Sequence, residues 1–358
     1  MKVAIVGAGL SGLSCALELE KLGIMPEIFE MGNSIGDSLD YTIISMKIYN
    51  QFNETSTKYL KKQYGLKIKP TESLKRITMH GPNSTTTVKG RLGYIFEKNK
   101  REASIENQIY KKLKSNIHFD SYVDPIDLST HFDYVVCATG NSLTAEKLNI
   151  FTRTFYAQMR IATILGDFNS HAMELWFNKE YAKNGYIYIL PHNGSKAILA
   201  LIVDNISQSE LDYYWKNFLS KENLQYKILS TRDYEFNTGI VETLQRNNIF
   251  LIGNSGGLVD NFLGFGFISA IESGILTAKA IYNNLDINEL LSNQINNIAN
   301  MRKLRGAIDK FSNKDLDRLI KFLGLPIIKP LIYNNPCFKI NNITSIGKLY
   351  NNFSKNRK

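Results

Sequence analysis

Cysteine and histidine are scarce in this chain of 358 residues, and long apolar runs are absent. The three cysteines, Cys15, Cys137 and Cys337, lie far apart and match no metal-ligand spacing. They point to a disulfide-free chain of a reducing, intracellular compartment. The five histidines form no HxH or HxxxH pair, so no metal site is expected. No stretch of about twenty apolar residues occurs, which argues against a spanning helix. The N-terminal apolar run has neither a basic n-region nor a cleavage site, so a cytoplasmic protein is expected rather than a secreted one. No Ser/His/Asp triad or acidic pair suggests hydrolysis, and there are no repeats. Acidic residues are lacking after Asp317, whereas eight basic residues follow it, in a chain of net charge +10. A basic tail can meet nucleic acid or an anionic membrane surface. No nucleic-acid-binding module is recognisable, so a membrane surface is the expected partner, with a solvated tail as the alternative.

What is present begins at once. Val3 to Val6 is an apolar strand that runs into Gly7-Ala8-Gly9-Leu10-Ser11-Gly12, then a helix-like run, then a second strand ending on Glu30. In such a βαβ start the first glycine makes the turn and the second lets a pyrophosphate approach the backbone. The third lets helix and strand pack closely. The helix N-terminus offers free N–H groups to the phosphates. Glu30 is placed to accept from ribose hydroxyls and would repel a 2′-phosphate. The expected ligand is therefore FAD or NAD, not NADP.

Residues 51–66 read as helix, 74–96 as a hairpin turning at Gly81-Pro82-Asn83, 101–114 as helix and 117–123 as a short strand. Phe132 to Gly140 is a continuous apolar strand of the buried parallel kind, closed by small residues. From 151 to 231 strands dominate (Thr152–Leu165, Ala172–Phe177, Tyr186–Leu190, Ala197–Val203), with a helix near 208–219. Residues 249–281 return to α/β character, and the remainder is helical. There Leu316, Leu319, Ile320 and Leu323 share a face, and Ser312 is an N-cap three residues before Asp315. The expected fold is α/β (α+β overall): a Rossmann-like FAD-binding domain with an inserted antiparallel-sheet substrate domain and a helical C-terminal region. The expected boundaries are 1–50, 95–150 and 232–290 for the first, 51–94 and 151–231 for the second, and 291–358 for the third.

A second glycine-bearing stretch, Ile252 to Gly274, leaves a strand at Gly253-Asn254 and enters a helix through Gly264-Phe265-Gly266-Phe267. Small residues allow close backbone approach, and the helix start can face negative charge. This segment is similar to the GDAAGFVDPLTGEGI-type motif of the geranylgeranyl reductase family, within the larger group resembling p-hydroxybenzoate hydroxylase. Asn184 to Pro191 resembles that family's GYxWxFP stretch. The resemblance implies non-covalent FAD, a large mixed-sheet substrate domain, and an apolar or lipid substrate. It also implies an electron donor, NAD(P)H or ferredoxin. It carries the FAD contacts to Gly7 through Gly12, Glu30, Thr139, Gly140, Gly253, Asn254 and Gly264 through Phe267, with Lys98 or Arg101 in place of a family arginine.

The departures are specific. Asn254 replaces an aspartate, Tyr188 a tryptophan and Leu190 a phenylalanine. The cysteine usual near the flavin is missing from residues 31–50. Thr139 stands where hydroxylases have the aspartate of a DG pair, which argues against the usual NADPH contact. Saturating an alkene needs a proton as well as a hydride, and Tyr186, Tyr188 and His192 are the candidate donors, with water near the flavin as the alternative. The competing readings are an FAD-dependent monooxygenase, a halogenase (for which no WxWxIP lysine is found) and a non-catalytic flavin-binding protein.

Overall fold

The computed structural model describes residues 1–36, 41–50, 52–98, 102–335 and 338–340. The first half of the chain forms β1 (Val3–Val6), α1 (Leu10–Lys21), β2 (Glu27–Phe29), β3 (Thr42–Met46), α2 (Ser56–Tyr64), β4 (Glu72–His80), β5 (Thr85–Glu97), α3 (Ile105–Tyr110), β6 (Ile117–His118), α4 (Pro125–Leu128), β7 (Tyr134–Cys137) and α5 (Leu143–Lys147). There follow β8 (Phe151–Leu165), β9 (Ala172–Trp176), α6 (Lys179–Ala182), β10 (Tyr186–Pro191), β11 (Lys196–Asp204), α7 (Leu211–Lys221), β12 (Lys227–Val241), β13 (Gln245–Arg246) and β14 (Ile249–Leu251). The last helices are α8 (Phe267–Asn283), α9 (Ile287–Leu290), α10 (Ser292–Ile308) and α11 (Asn313–Leu323).

Two sheets result. The first has the order β13-β14-β7-β1-β2-β6. Its β6, β2, β1, β7 and β14 are mutually parallel, and β13 alone runs against β14. The fully buried Val3–Val6 and Ile249–Leu251 explain why these strands read as unbroken apolar runs. Chain order reverses on either side of β1, so the carboxyl ends of β1 and β7 form the crevice where doubly wound sheets bind ligands. The second sheet has the order β12-β8-β11-β10-β9-β4-β5-β3 and is antiparallel except where β4 meets β9.

Helix α1 packs against α8 across small residues. A Cβ on Gly274 would stand 2.2 Å from the Ser11 carbonyl oxygen, so only glycine allows this approach. Ser312 caps α11 and forms a capping box with Asp315, as expected. On α11, Leu316 and Ile320 are buried, and Asp317 accepts from the Asn83 N–H (2.8 Å) and the Ser84 hydroxyl (2.7 Å), clasping the β4–β5 turn.

Several expectations need correcting. The helix expected over 101–114 is only Ile105–Tyr110, capped by Ser104, and the strand expected over 117–123 is only Ile117–His118. Strand β3 and residues 232–241 pair in the second sheet, although both fall in stretches expected with the nucleotide-binding part. Helix α2 goes the other way. Its Leu60 lies in the same buried cluster as Leu17 and Ile275, and the Tyr59 and Tyr64 hydroxyls both donate to Glu272 of α8.

Candidate cofactor and active site

Each glycine of the first motif has a separate reason. Gly7 has φ +108°, and a Cβ there would lie 2.4 Å from the Ala138 carbonyl oxygen. At Gly12 a Cβ would lie 2.0 Å from the Gly7 carbonyl oxygen. Gly9 differs: its φ is −82°, and a Cβ would meet nothing within 4 Å. Neither conformation nor packing demands glycine there, which makes the open space in front of Gly9 the candidate cradle. No side chain caps α1, so the N–H groups of its first turn remain available to an anion. Ala8, Leu10 and Ser11 are buried around this turn.

Glu30 has a first task the sequence did not predict. Its carboxylate accepts from the Ala8 N–H at 2.7 Å and from the Gly32 N–H at 2.8 Å, which fixes the loop. Each oxygen keeps acceptor capacity for a ribose hydroxyl.

Two later loops close on the first. Gly253 has φ +58°, and a Cβ there would lie 2.9 Å from Ser11 Oγ, so the two glycine-bearing ends of the chain touch. The Gly253 N–H donates to Ser273 Oγ at 3.0 Å. Asn254 Nδ2 donates to the Gly140 carbonyl at 2.7 Å, the Gly140 N–H donates to Ser255 Oγ at 3.1 Å, and Thr139 Oγ1 lies 3.1 Å from Ser255 Oγ. The Asn254 Oδ1 atom is buried with no hydrogen-bond partner. A buried acceptor left open in this crevice suits a hydroxyl-bearing cofactor chain, so the residues present fit a dinucleotide.

The approach to α8 is organised by Asp260, for which the sequence alone offers no role. Asp260 is buried and accepts from the N–H groups of Phe262 (2.8 Å), Leu263 (2.9 Å) and Phe265. Burial pushes its carboxyl up to about 6, against the opposing pull of those N–H groups and of Arg305. The loop it holds carries Gly264, at φ +72°, and ends at Gly266, the N-cap of α8, where no side chain caps the helix. Phe265 packs on Tyr49 with ring centroids 4.3 Å apart, and Phe267 on Phe96 at 5.2 Å.

The candidate proton donors are not equivalent. Tyr186 donates to the Leu263 carbonyl at 2.6 Å and so touches the loop before α8. Tyr188 lies two residues on, with ring centroids 6.3 Å apart, on the same face of β10. Burial raises both phenols above their ordinary range. His192 follows the end of β10, its N–H donating to the Lys196 carbonyl. It is six residues, roughly 20 Å of extended chain, from Tyr186. Sequence reasoning also missed Tyr49, whose buried hydroxyl has no partner. Lys98 donates to Tyr41 Oη at 2.9 Å and lies 3.5 Å from the buried Glu106 carboxylate. Arg101 lies outside the described residues.

Residues 5–45 match a family model described as an NAD(P)-binding Rossmann-like domain. A digeranylgeranylglycerophospholipid reductase of Methanocaldococcus jannaschii is 22% identical over 177 residues, which is 44% of this chain and 44% of that protein. The match thus spans under half the length of that curated relative. Among solved structures, a geranylgeranyl bacteriochlorophyll reductase-like protein from Thermoplasma acidophilum superposes with a TM-score of 0.70 at 14% identity, over 97% of this chain and 98% of that one. The flavin-dependent brominase Bmp2 does so with a TM-score of 0.64 at 12% identity, over 100% and 99%. Over nearly its whole length the chain shares the architecture of these two proteins, a geranylgeranyl bacteriochlorophyll reductase-like protein and a flavin-dependent brominase.

Proposed function

We propose that the protein is an FAD-dependent reductase that saturates C=C bonds of an apolar, isoprenoid- or lipid-type substrate. The observation that carries this reading is the meeting of an apolar sheet face with the loop before α8. Tyr186, Tyr188, Met159 and Ile161 gather around buried Ile198 and Ala200 on one face of the second sheet, and Tyr186 bonds directly to Leu263. Bound in the crevice, FAD supplies the hydride from its reduced form. The chain's own residues do the rest. Gly9 and the first turn of α1 hold the pyrophosphate. Asn254 Oδ1 accepts from the linking chain. The uncapped start of α8 favours negative charge in front of it. The buried aromatic face excludes water and orients the substrate, and Tyr186 gives up the proton once its hydroxyl leaves the Leu263 carbonyl, with Tyr188 beside it. The electron donor is NAD(P)H or a ferredoxin.

The test is to purify the protein, read its flavin spectrum, reduce it without oxygen and follow reoxidation by a polyprenyl lipid. Tyr186→Phe is expected to slow reoxidation about a hundredfold while leaving flavin content unchanged, the scale of a lost general acid. A variant that reoxidises at the parental rate would remove Tyr186 from the mechanism. A monooxygenase is the second reading, favoured by the likeness in fold to the p-nitrophenol 4-monooxygenase PnpA of Pseudomonas putida (TM-score 0.62 at 12% identity). Rapid oxygen uptake on adding an aromatic substrate would select it.

The C-terminal segment supports a role at a lipid surface. Ile328 and Ile332 are buried, whereas Ile327 is 70% and Leu331 46% exposed, four residues apart beside Lys329. No helix among the described residues is long and apolar enough to cross a membrane. Co-sedimentation with anionic vesicles is expected, and Ile327→Asp with Leu331→Asp should abolish it. Equal sedimentation of both proteins would exclude this segment as the docking site.

A further inference from the structure

A cleft lies behind the loop that Asp260 organises. It is narrow and open to solvent, between the N-terminal end of β10, the loop at Phe262-Leu263 and helix α10. Its floor is Arg305, which is 6% exposed. The guanidinium is held from three directions. Nε donates to Asp309 Oδ1 at 2.6 Å, Nη1 donates to the Phe262 carbonyl at 3.3 Å, and the ring of Phe155 lies under its plane at 4.6 Å. Nη2 is buried and has no hydrogen-bond partner. A desolvated guanidinium nitrogen with nothing to donate to is a costly arrangement that a ligand can relieve.

A second cation stands beside it. The half-buried Lys179 donates to the Asp309 carbonyl at 2.9 Å and to Asn184 Oδ1, which leaves one N–H of three. The cleft's own carboxylate, Asp309, is already engaged by Arg305. A third lining residue, Lys183, turns its ammonium away to the Asn205 carbonyl. Asp309 and, from the loop, Asp260 stand against the two cations, yet Arg305 Nη2 and Lys179 Nζ both retain a donor.

We propose that this cleft is a binding site for an oxyanion, a phosphate or carboxylate group, held by Arg305 Nη2 and Lys179 Nζ. Charge-assisted donors of this kind select such groups. The site is separate from the dinucleotide cradle. It touches the flavin-facing loop from behind, because Phe262 and Leu263, which line it, are the residues whose N–H groups Asp260 holds. An oxyanion here therefore adds a fixed charge next to Tyr186, which also lines the cleft.

The proposal is tested by titrating inorganic phosphate into the purified protein at low ionic strength, followed by calorimetry. Acetate serves as a planar oxyanion and methylammonium as a cationic control. Saturable single-site binding of phosphate or acetate is expected, with none of methylammonium. Arg305→Met and Lys179→Met should each weaken it about tenfold or more, the scale of one charge-assisted hydrogen bond, and Arg305→Lys should restore part of the loss. If Arg305→Met fails to fold, Lys179→Met decides alone, since it sits at the rim. No saturable binding, or binding that both methionine variants leave unchanged, would overturn the proposal. Binding is read without turnover, so a protein that carries no flavin would sink the reductase reading and leave this one standing.

Discussion

Gly9→Val is expected to yield a protein that folds and melts like the parent yet purifies without flavin, its affinity lowered by at least about a hundredfold, or ~3 kcal/mol. The three glycines of the first motif make this separation possible. Substituting Gly7 forces a left-handed residue against the Ala138 carbonyl, and substituting Gly12 drives a side chain into the Gly7 carbonyl, so either change harms the fold itself. Gly9 has an ordinary extended conformation and empty space where its Cβ would be. The Cβ of a valine there meets nothing in the chain, and the side chain enters the space proposed for the pyrophosphate. The checks are thermal melting beside the visible absorption spectrum of the purified variant. Retention of flavin by Gly9→Val would show that the cofactor lies elsewhere. Loss of both flavin and fold would show that the space in front of Gly9 is structural.

Asp260→Ala is expected to cost about 3 kcal/mol or more, because three buried N–H groups lose their acceptor and Arg305 loses a nearby counter-charge. The titration of this carboxyl gives a sharper signature. Burial raises it from an ordinary 3.8 to about 6 in the folded protein. Between those values the folded chain holds a proton that the unfolded chain has released. Stability contributed by this group is therefore full below the lower value. It falls as the pH rises through the window and is level above about 6. The change across the window is about 3 kcal/mol at 1.36 kcal/mol per unit. Asp260→Asn should flatten that part of the curve. Urea unfolding of both proteins across pH 4 to 6 is the measurement, and parallel curves would show that Asp260 does not carry the dependence.

The parts of the fold legible in the sequence were those whose physics is local or strongly periodic. The strand, glycine turn and helix at Val3–Lys21, the apolar strand Tyr134–Cys137 and the capping box at Ser312 all leave compact signatures. Strand β12 leaves none. It is an edge strand whose residues 227–233 are all exposed, so no hydrophobic alternation marks it. Its register comes from partners distant in sequence, including the pair from Arg160 of β8 to Asp233 at 2.7 Å. The expected boundary at 231 fell inside it for that reason. Helix α2 was legible as a helix within 51–66 but its placement was not, since two tyrosine hydroxyls that reach Glu272 more than two hundred residues away decide it. At the site, glycines announced where segments of the chain approach one another closely. Asp260 and Arg305 act through buried contacts to the loop before α8, and nothing in residue spacing separates them from surface charges.

The order of synthesis gives the strand topology a further meaning. Strand β7 sits between β1 and β14, and the whole run β8 to β13 is made before β14. A chain emerging from the ribosome therefore completes β1, α1 and β7 with one edge of β7 bare, and Gly253 arrives only after the second sheet has been made. At cellular elongation rates the interval is on the order of ten seconds. Throughout it the nascent chain presents an unpaired apolar strand, a template for pairing with the wrong neighbour. Cofactor capture cannot relieve that exposure early, because the third wall of the crevice does not yet exist. Such a protein depends on its second sheet folding promptly, so that β14 is delivered to an edge still free.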